Sequence, residues 1–266
     1  MRKAYISIAA LLLCGSMLMA QTPANRTAKT TAADVLAQMP AAKQAAYNKL
    51  IGDLSSTGEE GVLMLVNMIN APGKGSNANV DYALSGLTHY VMAKGEENAR
   101  LVTAKAYLKA LEMVNERETK AFIIRQLQML GKDECIDVLA SYLNDESLSG
   151  PAARALASNG SQKAGQALVA ALKSRTGSSK TQKDVIRAIT DARVDGAEPV
   201  LLVLQGASDP NMQKEVLYAL SCVGSSNSLP VLAKASMQPR LHGGSPVQHG
   251  SMWSGSFSRL SDTGSL

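Results

Sequence analysis

An internal repeat constrains the fold of this chain more than any other feature of its sequence. Four ten-residue segments align without gaps, and their last residues are 29, 33 and 31 residues apart. The segments are FIIRQLQMLG (122–131), PAARALASNG (151–160), DVIRAITDAR (184–193) and EVLYALSCVG (215–224). Each is followed, 8 residues after its end, by the central leucine of a second apolar stretch: Leu139, Leu168, Leu201 and Leu232. One fixed joint and one loop of variable length are typical of stacked helical hairpins.

Apolar residues recur inside the segments at helical spacing and predict the core. They are Ile123, Ile124, Leu127 and Leu130, then Val185, Ile186, Ile189 and Ala192, then Val216, Leu217, Leu220 and Val223. The segment 151–160 has the smaller set Ala152, Ala153, Leu156 and Asn159. Because each buried methylene stabilises by about 0.8 kcal/mol, we predict that this repeat is the least stable. The chain is 45% hydrophobic but only 4% aromatic, which favours closely packed helices over a β-sandwich.

The loop before the fourth segment carries a further helix signal. Asp209 is suited to cap a helix whose first residue is Pro210. A period of 29 to 33 residues, two helices per repeat and an Asp-Pro pair entering one of them together resemble the HEAT family, particularly its short bacterial, phycobilisome-lyase-like form. The resemblance covers about 59–236 and is clearest after Ala121. It implies an all-α, right-handed α-solenoid of antiparallel helix pairs, similar to armadillo-like folds.

The N-terminus has the composition of a secretory signal peptide. Two basic residues, Arg2 and Lys3, precede an apolar run that ends at Leu13, and the chain becomes polar after Ala20. We predict a signal peptide over 1–20 and export, with the periplasm as the destination. Anchoring as a lipoprotein through Cys14 is the alternative, although a lipobox requires a small residue at the position of Leu13.

Three further segments follow the predicted signal. Residues 21–58 are expected to be a linker and a helical N-terminal cap, and 59–238 the HEAT-like array, opened by a capping box at Thr57-Gly58-Glu59-Glu60. Residues 239–266 contain seven Ser and five Gly and no Ala, Lys or Glu. This tail is interpreted either as disordered or as the product of a shifted reading frame near Gln238, so we expect the array to be incomplete at its C-terminus.

Charge and cysteine content exclude several classes of protein. The formal net charge of +5 falls to +3 once Arg2 and Lys3 are removed, which does not favour nucleic-acid binding. Cys135 and Cys222 remain after cleavage, and about three repeats separate them, so we expect two free thiols. No integral membrane segment is expected in the mature chain.

No constellation of catalytic or metal-ligating residues is evident. His89, His242 and His249 are the only histidines and lack ligand spacing, and the stretch from Gly73 to Ser76 lacks the full phosphate-loop pattern. We therefore expect no enzyme activity, no cofactor and no metal. Bilin-lyase activity is implied only by the family resemblance.

The candidate binding surface is a column roughly opposite the core stripe. It consists of Arg125, Arg154, Arg187 and Tyr218. In one interpretation it lines a concave face and binds an acidic protein or other extended partner, and in the other the arginines are solvated or paired with acidic residues of the neighbouring repeat. The functional hypothesis is an exported scaffold. The alternative is an accessory module of a truncated exported enzyme, for example a carbohydrate-active hydrolase.

Overall fold

The computed structural model describes residues 26–93, 95–174 and 176–237, and these residues form α-helices and short turns with no β-strand. The helices are α1 (Ala28–Ala37), α2 (Gln44–Ser55), α3 (Gly58–Asn67), α4 (Ala78–Val91), α5 (Glu97–Met113), α6 (Arg117–Leu130), α7 (Ile136–Ser141), α8 (Ser149–Asn159), α9 (Gln162–Ser174), α10 (Ser179–Ala192), α11 (Glu198–Leu204), α12 (Pro210–Val223) and α13 (Leu229–Ser236). The predicted signal peptide and tail lie outside the described residues.

The helices alternate between two layers. The even-numbered helices form one layer, in which α2, α4, α6, α8, α10 and α12 each contact the next. In the other layer α1 contacts α3, α3 contacts α5, and α7 contacts α9, which contacts α11. The predicted all-α, helical-repeat fold is therefore confirmed, whereas the handedness of the array stays a prediction.

One continuous apolar core runs between the layers from Ala32 to Leu232. The four repeated leucines of the second helices are all buried, as are the first three positions of every core stripe. The fourth position is buried only as Leu130, and its counterparts Asn159, Ala192 and Val223 are half-buried. The repeat pattern thus identified the core. The agreement between the pattern and the observed burial is weakest at the ends of α8, α10 and α12.

The N-terminal region continues the same alternation. Helices α1 and α2, within the segment expected to be a linker and cap, contact α3 and α4 in the two layers. The predicted capping box at Thr57 is wrong. The backbone of Thr57 is helical, and its hydroxyl donates to the Leu54 carbonyl at 2.6 Å instead of capping α3. This hydroxyl is satisfied by the end of α2 because only Ser56 and Thr57 separate the two helices.

Two predicted features after Ala121 are confirmed. Asp209 caps α12 by accepting a hydrogen bond from the Asn211 N–H at 2.9 Å, and Pro210 is the first residue of the helix. Cys135 is buried and Cys222 half-buried, and both are free thiols. Since burial raises the pKa of Cys135 to about 12, with the Glu134 charge adding to the effect, this thiol is suited to packing rather than to reaction.

Candidate functional site

The four residues of the predicted column lie on successive helices of the even layer. Arg125, Arg154, Arg187 and Tyr218 belong to α6, α8, α10 and α12, and all four are exposed. Each directly follows two buried residues of the core stripe, so the same helical periodicity that buries the stripe turns the column outward. We call this surface the column face. Its members differ in their partners.

Arg187 is paired with the next helix. Its Nε donates to the Glu215 carboxylate on α12 at 3.0 Å, and an Nη group of the same guanidinium also binds this carboxylate. The hydrogen bond and charge of Glu215 raise the pKa of Arg187. The interpretation in which the arginines pair with the neighbouring repeat therefore describes Arg187.

Arg154 approaches a carboxylate that already has partners. A Cβ placed on Gly150 would lie 3.5 Å from Arg154 Nη1 and 3.6 Å from Asp184 Oδ2, so both groups lie above this glycine. Asp184 Oδ2 accepts hydrogen bonds from Ser149 Oγ at 2.6 Å and Lys180 Nζ at 2.9 Å. Arg154 itself makes no ion pair within 4 Å among the described residues.

Arg125 has a carboxylate on one side only. The position that carries Asp184 in α10 and Glu215 in α12 is Pro151 in α8, so the next helix offers no carboxylate there. On the other side lies Asp81 of α4, whose pKa is raised by burial despite the opposing effect of the Arg125 charge. Arg125 makes no ion pair within 4 Å to any described residue, so apart from this electrostatic interaction with Asp81 its exposed guanidinium has no directly bound carboxylate.

A tyrosine pair on α2 and α4 extends the column face beyond Arg125. The rings of Tyr47 and Tyr82 have centroids 5.2 Å apart and planes inclined at 51°. Tyr82 is 42% exposed, whereas Tyr47 is half-buried. Sequence reasoning missed this pair because the repeat register could not be read before Ala121.

Tyr218 marks the other end of the column and is 50% exposed. The neighbouring Cys222 thiol, one turn later in α12, raises the pKa of its phenol. Asp191 and Arg193 at the end of α10 also act electrostatically on Tyr218. The exposed ring is thus bordered by mixed charge.

A cavity lies next to the end of α10 and shares Arg193 with the surroundings of Tyr218. Its volume is about 490 Å³, and it lies between the α8–α9 turn and the end of α10. Small residues such as Gly160 and Gly165 leave the space, while Arg193 and Asp195 supply charge. No group of three or more His, Cys, Asp or Glu residues is placed to hold a metal in the part of the chain that the structure describes.

The three histidines considered as ligands in the sequence lie in different parts of the chain. His89 is exposed on α4, and His242 and His249 lie outside the described residues.

None of the helices within the described ranges has both the length and the apolar character needed to cross a membrane.

Comparison with known proteins identifies no family for this chain. No family model matches the chain, and no curated protein matches it. Among solved structures, the chain is similar to one described as the crystal structure of an engineered protein, with 21% identity over 72% of this chain and 96% of the other. The TM-score of that alignment is 0.38.

Proposed function

We propose that this chain is an exported, HEAT-like scaffold that binds an acidic, extended protein partner through the column face. The observation that supports this proposal is the row of exposed cationic side chains on consecutive helices, two of which lack an ion pair among the described residues. An array of stacked helices offers a long surface that crosses several repeats, which suits an extended ligand. By analogy with HEAT arrays, the even layer would be the concave side.

Electrostatics would give this surface its preference. An acidic partner gains two guanidinium contacts at Arg125 and Arg154 without breaking an ion pair of the scaffold. At Arg187 it must compete with Glu215, so the partner gains less there. We therefore expect binding to weaken with added salt and to depend mainly on the first two arginines.

A charge-reversal experiment tests the proposal. Fluorescently labelled poly-L-glutamate is titrated with the protein that begins after Ala20, and its anisotropy is measured. Arg125→Glu combined with Arg154→Glu should weaken binding at least about tenfold. The matched control combines Lys173→Glu with Lys234→Glu, two exposed lysines of the other layer, and makes the same change in net charge. Equal weakening in both variants would show that only net charge matters and would reject the column face.

Export is proposed from the sequence of residues 1–20 and is tested separately. The full chain is expressed in a Gram-negative host with a C-terminal epitope. We expect a shortened product in the periplasmic fraction whose first residue follows Ala20. Retention of the complete N-terminus in the cytosol would contradict export, and a lipid-modified N-terminus at Cys14 would favour the anchored alternative.

A further inference from the structure

The spacing of the arginines carries information about the shape of their ligand. Arg125, Arg154 and Arg187 occur once per helix on three neighbouring helices of the even layer. Packed helices lie about 8–10 Å apart. A ligand that runs across the layer therefore meets successive guanidinium groups at about that interval.

Two extended backbone conformations can be compared with this interval. A β-strand returns a side chain to the same side every second residue, after about 6.6–6.8 Å, which is too short. A polyproline II helix has three residues per turn and rises about 3.1 Å per residue, so every third side chain points the same way after about 9.3 Å. Only the second repeat agrees with the helix spacing.

We propose that the column face binds a polyproline II peptide that carries a carboxylate at every third residue. This inference rests on the proposed function and adds the conformation and register of the partner. The charge of the face requires two carboxylates, one at Arg125 and one at Arg154. A third carboxylate adds little, because Glu215 already occupies Arg187.

The ends of the face suit residues that flank the carboxylates of the peptide. Tyr82 lies beyond Arg125 and Tyr218 beyond Arg187, and both rings are about half exposed, at 42% and 50%. Proline-rich segments in the polyproline II conformation dock on exposed aromatic rings, and their preformed backbone reduces the entropy lost on binding. An acidic peptide with proline on either side of its carboxylates therefore matches both the charged and the aromatic parts of the surface.

Three labelled peptides of identical composition test the register. Each contains two glutamates in a proline background, separated by two, three or four positions along the chain, and binding to the unaltered protein is measured by anisotropy. The peptide with a separation of three should bind at least about fivefold more tightly than the other two. Arg125→Gln combined with Arg154→Gln should remove that preference, and circular dichroism of the variant checks that its helices remain.

The outcomes separate this inference from the proposed function. If all three peptides bind equally and the double variant weakens each, the register is wrong while the acidic-partner function stands. If none binds and the poly-L-glutamate experiment also fails, both are rejected. A polyuronate that binds more tightly than the best peptide and displaces it would overturn the choice of a peptide, since a polyuronate carries a carboxylate on every sugar.

Discussion

Helices α1–α6 and helices α8–α13 are held together by different kinds of side chain. Between α2 and α6, large polar side chains form hydrogen bonds to neighbouring helices. Tyr107 is completely buried, donates to the Leu84 carbonyl at 3.2 Å and shares a hydrogen bond with Thr88. Buried Arg100 of α5 donates to the Leu130 carbonyl at the end of α6 and to Glu134.

From α8 to α13, the hydrogen bonds between helices and turns come instead from small side chains and from groups near the surface. Every described arginine and tyrosine from 149 to 237 is exposed. Ser149 Oγ donates to Asp184 at 2.6 Å between α8 and α10, and Glu198 accepts hydrogen bonds from Ser225 and Ser228 at the turn before α13. Interfaces built from small residues can be repeated with few changes, whereas each large polar residue fits one joint only. This difference explains why the repeat is visible only after Ala121.

Replacing one arginine in each region gives the largest expected contrast. Arg100→Met should lower the free energy of unfolding by about 3 kcal/mol, because it leaves Glu134 and the Leu130 carbonyl without their partner. Arg187→Met removes an exposed pair and should cost less than about 1 kcal/mol. Urea denaturation of both variants measures the difference, and similar midpoints would mean that the two regions are held together alike.

The same arginine gives the N-terminal joint a pH dependence. The hydrogen bond from Arg100, with a second from Lys132, lowers the pKa of Glu97 from 4.5 to about 2. A carboxylate with a lowered pKa stabilises the fold above its ordinary pKa, and this contribution is lost as the pH falls toward about 2. The acid-dependent loss of stability should therefore be smaller in Arg100→Met than in the unaltered protein. An equal loss in both would contradict the role of Arg100.

Two glycines test whether α2 and α4 are held at a distance set by tyrosine. A Cβ on Gly86 would lie 2.1 Å from the Tyr47 hydroxyl and 3.0 Å from Ile51 Cδ1, so Gly86→Ala must displace Tyr47 or separate the helices. We expect a loss of about 1–2 kcal/mol in the free energy of unfolding. In a Tyr47→Ala background the cost of Gly86→Ala should fall, because only the contact with Ile51 Cδ1 remains.

Gly52 on α2 is the matched control for this experiment. A Cβ there would lie 3.5 Å from the Tyr90 hydroxyl, which is ordinary van der Waals contact. Gly52→Ala should therefore stabilise by up to about 1 kcal/mol through helix propensity. Thermal denaturation that showed the same sign for both glycines would refute the distinction.

The sequence could predict the architecture because the helical periodicity of apolar residues is preserved in the repeats whose contacts between helices are made by small residues. The leucines 8 residues after each segment and the first three stripe positions were all placed correctly. The capping box at Thr57 failed because whether this hydroxyl accepts from an N–H of α3 or donates to the Leu54 carbonyl depends on how closely α2 and α3 are joined. Arg100 could not be predicted, since its partners Leu130 and Glu134 lie 30 and 34 residues away in sequence.

The candidate site was only partly predictable for the same reason. Helical spacing identified the exposed column, because direction on a helix follows from residue number alone. It could not show that Glu215 pairs with Arg187 while Pro151 leaves Arg125 without a carboxylate on the next helix, since that requires the register between neighbouring helices. The tyrosine pair of α2 and α4 lies where no repeat could be aligned.

A smaller test addresses the hydrogen bonds between Glu198 of α11 and the turn before α13. Glu198 accepts hydrogen bonds from the Ser225 N–H at 2.8 Å and from two serine hydroxyls. Burial would raise the pKa of Glu198, but these hydrogen bonds outweigh it and the net shift is downward. Glu198→Gln should cost about 1 kcal/mol at neutral pH, and the difference from the unaltered protein should shrink as the pH falls below 4.5. Glu146→Gln, at an exposed loop position, is the control and should leave the denaturation midpoint unchanged.

The smallest expected effect concerns two equivalent helix ends of the repeat. Arg193 ends α10 in the left-handed conformation with φ of 49°, and the Val194 N–H binds the Ile189 carbonyl behind it at 3.0 Å. Glycine occupies the same aligned position at Gly160, where φ is 69°. Because a side chain is strained in this conformation, Arg193→Gly should stabilise by about 0.5–1 kcal/mol, whereas Gly160→Ala should destabilise by about 1 kcal/mol. Opposite shifts of the urea midpoint would show that the ends of α8 and α10 share one backbone geometry that tolerates exchange of residues. Destabilisation in both variants would mean that the Arg193 side chain stabilises its turn through contacts that outweigh the backbone strain.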